Sequence, residues 1–177
     1  DPFCGSGTIP IEAALIAKNR APGLDRSFAA QKWKNMDSKL WLEAGDEAMD
    51  KEFHGHYDIW GGDIDPAAVE LARHNAELAG VEDCIRFEVA DAGKFHRDSE
   101  YGQLVTNPPY GERLLEKREA EELYRVFGRA VRDLPPKWRV LVLSSHTEFE
   151  RAFGRPADKK RKLYNGMLKC DVFQYGK

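Results

Sequence analysis

Cysteine is scarce: Cys4, Cys84 and Cys170 are the only three in 177 residues, far apart and without a Cys-x-x-Cys pair. That spacing excludes a disulfide framework and a thiolate zinc site, and it suits a reducing, cytoplasmic compartment. Nothing approaches the roughly 18 consecutive apolar residues that a membrane-spanning helix needs, so no membrane is expected as a partner. Neither charge sign dominates, with 27 Lys and Arg against 30 Asp and Glu and a net charge of −3. Global electrostatics therefore give no pull on a polyanion. One local exception is Lys159-Lys160-Arg161-Lys162, with Arg155 just ahead. It reads either as a solvated loop leading into a hairpin or as a contact for phosphates. Internal repeats and low-complexity stretches are missing. His54 and His56 lack carboxylate or thiolate company and read as a loop, so no metal is expected. With 42% hydrophobic residues the chain can bury a real core, and residues 1–177 are expected to form one domain. Residue 1 already lies inside a motif with no initiator Met before it, which gives the expectation of a piece of a longer protein.

What is present centres on Thr106-Asn107-Pro108-Pro109-Tyr110-Gly111. The run follows a short apolar strand, Gln103-Leu104-Val105, so Asn107 is expected where a strand leaves its sheet. Two consecutive prolines cannot donate hydrogen bonds and hold φ near about −65°. The turn is thereby stiffened, with the Asn107 side-chain oxygen and the Pro108 carbonyl as two fixed acceptors. Such a pair suits a planar group bearing an NH₂. Holding both hydrogens turns the nitrogen lone pair toward an electrophile and stabilises the positive charge that develops there. Tyr110 is expected to stack on the ring. Taken alone, the run is also compatible with an ordinary strand followed by a proline turn.

The chain opens on Asp1-Pro2-Phe3-Cys4-Gly5-Ser6-Gly7-Thr8, which runs into the helix-forming Ile11–Ala17. Gly5 and Gly7 permit positive φ and close approach by a ligand, and Thr8 is expected to cap the helix, with Pro10 in the first turn. No Lys follows the glycines, so this is not a phosphate cradle. An acidic residue ahead of them repels pyrophosphate and welcomes an ammonium. Residues 18 to 57 form an aromatic-rich insertion with a polar helix over Asp37–Phe53, expected to pack on one edge of the domain.

Next, Tyr57–Gly62 reads as a strand reaching Asp63-Ile64-Asp65-Pro66, with Asp65 the cap of a helix striped by Val69, Ala72, Ala76 and Ala79 and closed by Gly80. A carboxylate at a strand's C-terminal end is where α/β folds grip a ribose diol, and Asp63 is placed for that. Ile85–Val89 reads as a strand ending at Ala90-Asp91-Ala92, which brings another acid to the same edge. A long amphipathic helix is expected over Glu116–Arg132, with Leu123, Phe127, Ala130 and Leu134 on one face, followed by a buried strand at Arg139–Leu143. Leu163-Tyr164-Asn165-Gly166-Met167-Leu168 reads as a hairpin with Asn-Gly in a type I′ turn. The order predicts an α/β protein: a mostly parallel, doubly wound sheet with an antiparallel C-terminal hairpin.

Together these residues resemble the Rossmann-like class I S-adenosylmethionine-dependent methyltransferases that act on exocyclic amino groups. The resemblance implies S-adenosylmethionine as cofactor, held by Asp1, Pro2, Gly5, Ser6, Gly7 and Thr8, by Asp63 with Ile64 at the ribose, and by Asp91 with Ala92 at the adenine. It implies a catalytic role for Asn107, Pro108, Pro109 and Tyr110, with Asn107 also touching the methionine end. Ala21-Pro22-Gly23-Leu24-Asp25-Arg26-Ser27-Phe28 with Lys32-Trp33, and the Leu163–Gly166 hairpin, are similar to the 23S rRNA guanine-N2 methyltransferases of the RlmL type. Those carry an upstream THUMP domain, which lies outside this sequence, as does the strand that leads into the first motif. The fold is therefore expected without its first strand.

The implied activity is direct methyl transfer to the N2 amine of a guanine in 23S rRNA, flipped out of its helix. A tRNA guanine-N2 enzyme, an adenine-N6 nucleic-acid enzyme and a glutamine-N5 protein methyltransferase share the Asn-Pro-Pro-Tyr run. From another class, a non-catalytic RNA-binding module remains open.

Overall fold

The structure, a computed structural model, describes residues 1–111 and 114–176. Helix α1 (Thr8–Ala17) is followed by α2 (Ser38–Asp50), β1 (Ile59–Asp63), α3 (Pro66–Leu78), β2 (Ile85–Val89) and β3 (Tyr101–Thr106). Then come α4 (Leu114–Ala130), β4 (Lys137–Ser144), α5 (Phe149–Phe153), β5 (Lys159–Asn165) and β6 (Leu168–Tyr175).

Local chemistry sets the boundaries. The Asp37 carboxylate accepts from Lys39 N at 2.9 Å and starts α2, while the Asp65 carboxylate accepts from Ala67 N at 2.9 Å and starts α3, with Pro66 at the first helical position. Thr8 does not cap α1. Gly7 holds the cap position at φ 85°, with no side-chain cap bond, and Thr8 is already helical. A Cβ on Gly7 would lie 3.0 Å from the Ala72 Cβ and 3.1 Å from the Phe87 ring, so a glycine there lets α1 approach α3 and β2.

Strands β1 and β2 pair in parallel, Ile59 opposite Ile85 and Asp63 opposite Val89. A second sheet has the order β3-β4-β6-β5, parallel between β3 and β4 and antiparallel from β4 through β6 to β5. This is the expected α/β arrangement, parallel pairs joined across helices and closed by an antiparallel hairpin. β1 and β3 do not bond to each other, and the segment Asp1–Cys4 lies between them. Gly62 N donates to Asp1 O at 2.8 Å and Cys4 N to Gly62 O at 2.9 Å, while Thr106 Oγ1 at the end of β3 donates to Asp1 Oδ1 at 2.5 Å.

Two apolar clusters follow from this split. One packs α1 and α3 on β1 and β2 through Ile11, Ala14, Val69, Ala72, Ala76 and Phe87. The other packs α4 and α5 on the four-stranded sheet, with ring contacts running through Phe127, Phe153, Tyr175, Phe149 and Phe173. Phe3 stands edge-on to Phe127 at 5.1 Å and joins this second cluster to the N-terminal loop.

Three expectations change and one short helix is added. The buried stripe of α4 is Ala120, Tyr124 and Phe127, continued by Val131; Ala130 and Leu134 pack beside it and Leu123 turns toward a cavity. The stripe predicted from apolar residues alone passed over a tyrosine. The one-turn helix α5 carried no signal beyond its phenylalanines. The hairpin loop is Gly166-Met167, because Asn165 pairs with Leu168, and positive φ is confined to Gly166 at 61°. One left-handed residue at the first loop position belongs to a type II′ turn rather than type I′. Finally, Lys159 to Lys162 are not in a loop but form the first half of β5.

Candidate active site

β1 ends at Asp63, β2 runs into Ala90-Asp91, and β3 runs into Asn107, so three strand ends and the Asp1–Thr8 loop meet at one edge. Between them lies a cavity of about 430 Å³, within the range of ordinary small-molecule sites. Its walls include Pro2, Gly5, Asp63, Ile64, Asp91, Ala92 and the whole Asn107-Pro108-Pro109-Tyr110 turn. Pro2 and Tyr110, 108 positions apart in sequence, are thereby brought together. Phe3, Ala90 and Leu123 line it as well, and sequence reasoning did not select them. Leu123 carried a signal, since it sits on α4 ahead of the buried stripe.

Not every predicted residue reaches this cavity. Asp1, Ser6 and Thr8 line a second one of about 480 Å³, together with Leu143, Leu163, Tyr164 and Asn165. Gly7 lines neither, because helix packing occupies it. Phe3, Gly5 and Asn107 are shared, so the two cavities flank the N-terminal loop and the start of the proline turn.

Asp63 ties the site's backbone together. Its Oδ2 accepts from Gly5 N at 2.9 Å and its Oδ1 from Asp65 N at 3.0 Å. Each carboxylate oxygen keeps a further lone pair, which leaves capacity to accept from a diol. Asp91 Oδ1 accepts from Gly93 N at 2.8 Å, leaving Oδ2 available. Between the two acids Ile64 stands 72% exposed, an apolar surface beside two anionic ones. A Cβ placed on Gly5, at φ 50°, would meet no atom within 4 Å, so the loop backbone is open to a ligand there. This donor set fits S-adenosylmethionine: acceptors for a ribose and an exocyclic adenine amine, an apolar wall for a purine, and bare backbone. Burial, reinforced by the charge of Asp63, pushes the Cys4 thiol up to about 11, so it stays protonated beside the loop.

The proline turn is braced from below. Tyr124, 0% exposed, donates its hydroxyl to the Pro109 carbonyl at 2.5 Å and lies 3.3 Å from Ser144 Oγ. Ser144 Oγ in turn accepts from His146 N at 3.1 Å. Sequence reasoning missed Tyr124, although a tyrosine on an otherwise apolar stripe signals a buried hydroxyl that needs a partner. Pro108 is buried, and among the described residues nothing donates to its carbonyl. Gly111 has φ 66°, and a Cβ there would lie 2.5 Å from the Glu116 carbonyl, so the turn requires glycine at its end.

Tyr110 is held by its hydroxyl. Its hydroxyl donates to Asn107 Oδ1 at 2.5 Å and has Cys170 Sγ at 3.8 Å. The ring is therefore anchored to the hairpin and not left free to follow a ligand. Burial, helped by Cys170, pushes the Tyr110 phenol up to about 12. The Asn107 oxygen has one lone pair engaged and one available.

Residues 1–174 match the family model described as the RMKL-like methyltransferase domain. The chain is 46% identical over 179 residues to YpsC of Bacillus subtilis (strain 168), provisionally named as an RNA methyltransferase; the match covers 99% of this chain and 46% of YpsC. It is 43% identical over 175 residues to the ribosomal RNA large subunit methyltransferase K/L of Shewanella baltica (strain OS185), covering 96% of this chain and 25% of that protein. The chain thus spans half or less of the relatives it matches. The crystal structure of SMU.472, solved in complex with SAH, superimposes with a TM-score of 0.95 at 44% identity, over 100% of this chain and 47% of that one.

Proposed function

We propose, from the premise that this chain belongs to the RMKL-like methyltransferase domain family, that its substrate is RNA and its target the exocyclic N2 amine of a guanine in 23S rRNA. It is an S-adenosylmethionine-dependent methyltransferase, in keeping with the SAH held by a neighbour of the same fold. When bound, S-adenosylmethionine supplies an electrophilic methyl group on a sulfonium. The observation that carries the methyl-transfer reading is the meeting of the Asn107–Tyr110 turn with the acids Asp63 and Asp91 in one cavity, and the likeness to proteins named as RNA methyltransferases supports RNA as the substrate. An amine-gripping turn and a nucleoside-gripping pair share a wall.

In this reading Asp63, with Gly5 beside it, holds the ribose, while Asp91, Ile64 and Ala92 hold the adenine. Asn107 Oδ1 and the Pro108 carbonyl each accept a hydrogen from the target amine. That aligns its lone pair and offsets the positive charge gathering on nitrogen. Tyr110 and the apolar walls exclude water. No acid or base has to precede methyl transfer, because the proton leaves a nitrogen that has already become cationic. The domain works within a longer protein that supplies a THUMP domain for RNA capture, and it works in the cytoplasm.

The test uses the full-length protein, S-adenosylmethionine with a labelled methyl group, and undermethylated 23S rRNA, followed by nucleoside analysis. N2-methylguanosine is expected. Asn107→Ala should lower kcat by about 10²-fold or more, the scale of losing one preorganised polar contact, with SAH affinity nearly unchanged. N6-methyladenosine as product keeps the mechanism and discards the substrate. An unchanged rate in Asn107→Ala discards the role of the turn.

A further inference from the structure

We propose that the RNA strand enters over the β5–β6 hairpin, with phosphates on Lys159, Arg161, Lys162 and Lys169 and a base stacked on Tyr164. This rests on the RNA reading above and names the surface that serves it.

β5 is the outermost strand of its sheet, bonded only to β6, and all seven of its residues are exposed. Four consecutive cations lie along it in a chain whose net charge is −3. Only Lys160 among them is neutralised, by Glu150 at 2.7 Å. Lys159, Arg161, Lys162 and Lys169 have no ion pair among the described residues. The two acids nearest them, Asp171 opposite Lys162 and Asp158 next to Lys159, set two negative charges against these four cations and leave an excess of two positive charges. Lys159 and Arg161 share one face about 7 Å apart, a spacing comparable to that of successive phosphates on an extended single strand, while Lys162 and Lys169 share the other face with Tyr164.

Charged edge strands also have a plainer use, since lysines there keep a sheet from pairing with another copy. That use does not account for the strand's far end. There Tyr164 is 67% exposed and Met167 101%, and an uncovered ring on an edge favours sticking. The same end carries the link to the chemistry, because Leu163, Tyr164 and Asn165 line the second cavity, whose wall includes Asn107. Cys170 of β6 also approaches the Tyr110 hydroxyl, at 3.8 Å. A strand of cations therefore leads to an exposed aromatic ring and then to a cavity ending at the turn that grips the amine. Cations followed by stacking rings are the arrangement that binds single-stranded nucleic acid without reading its sequence.

The experiment compares the full-length wild type with the triple variant Lys159→Gln, Arg161→Gln, Lys162→Gln and with Tyr164→Ala. RNA affinity is measured across a salt series, together with SAH titration and steady-state methyl transfer. Every substituted side chain is exposed, so SAH affinity should stay at wild type. For the triple variant the slope of log affinity against log salt should shrink by about 2, at roughly 0.7 per phosphate contact, and KM for RNA should rise with kcat retained. Tyr164→Ala should weaken RNA binding by about 5- to 150-fold, the scale of one base stack. An unchanged slope and KM in the triple variant would overturn the surface while leaving the RNA reading intact. Loss of SAH binding in the triple variant would also overturn it, since the cations would then be structural. A wild type that neither binds nor methylates RNA would overturn the RNA reading and this proposal with it.

Discussion

Tyr124→Phe is the sharpest perturbation of the catalytic turn, because it removes one oxygen and leaves the core packing in place. The Tyr124 ring is fully buried among Phe149 and its neighbours, and phenylalanine fills the same space. What disappears is the 2.5 Å bond to the Pro109 carbonyl and the 3.3 Å approach to Ser144 Oγ. A bond of this kind contributes about 1 kcal/mol net, and stranding its partner costs about 1–3 kcal/mol if water cannot reach it. Pro109 is itself exposed, which lets water recover part of that, so a stability loss of about 1–1.5 kcal/mol is expected. The kinetic effect is separable. Without the brace the Pro109–Tyr110 peptide can rock and carry the adjoining Pro108 carbonyl with it, and if about half an ångström of play costs about 1.4 kcal/mol in alignment, kcat falls about 10-fold. The assay is methyl transfer with SAH affinity and thermal unfolding measured in parallel. Ser144→Ala is the control: it removes the oxygen next to Tyr124 and the acceptor of His146 N without touching the Pro109 bond. Tyr124→Phe should lower kcat and Ser144→Ala only stability. Burial also pushes the Tyr124 phenol up, which favours the protonated form that donates to Pro109. A wild-type kcat in Tyr124→Phe, beside a lowered Tm, would refute the bracing role and leave a packing residue.

Three further outcomes are expected. Asp63→Ala should weaken SAH by about 2–3 kcal/mol, since it releases Gly5 N and Asp65 N along with any ligand diol, whereas Asp65→Ala should cost only about 1 kcal/mol of stability through its helix cap. Calorimetric titration separates them, and a reversed pattern would exchange their roles. Gly111→Ala should destabilise by more than about 1 kcal/mol, because φ is 66° and its methyl would crowd the Glu116 carbonyl; an unshifted Tm would sink this. Tyr110 binds its proton more tightly folded than unfolded, so the stability it contributes is complete below pH about 10 and is lost as pH rises toward about 12. Tyr110→Phe should flatten that alkaline arm in a series of denaturant titrations, and an identical arm would mean that another group carries it.

Much of the fold was readable because short-range chemistry and periodicity agreed. Asp37 and Asp65 announced their helices, β2 fell at Ile85–Val89, and the alternation of acids and strand ends located one edge of the sheet. The departures arose where a residue's environment is set by a distant element. Gly7 looked like ligand-binding glycine and proved to be a packing glycine, because α3 and β2 approach it from another part of the chain. Tyr124 hid in a helix stripe because an apolar count has no column for a hydroxyl with a buried acceptor. The tie of the Tyr110 hydroxyl to Cys170, sixty residues away on the hairpin, had no local signal. The turn type failed for a local reason: pairing of Asn165 with Leu168 moved the loop by one residue.

Asn107 is a wall of both cavities, and this has a thermodynamic consequence. If its carboxamide takes one rotamer when the first cavity is filled and another when it is empty, the two ligands cannot bind independently. Whatever factor one ligand imposes on the affinity of the second is returned unchanged in the other direction. A methyl-refractory RNA fragment and SAH would then close a four-cornered cycle whose coupling free energy vanishes in Asn107→Ala, and so the order in which substrates and products come and go would be written into one side chain.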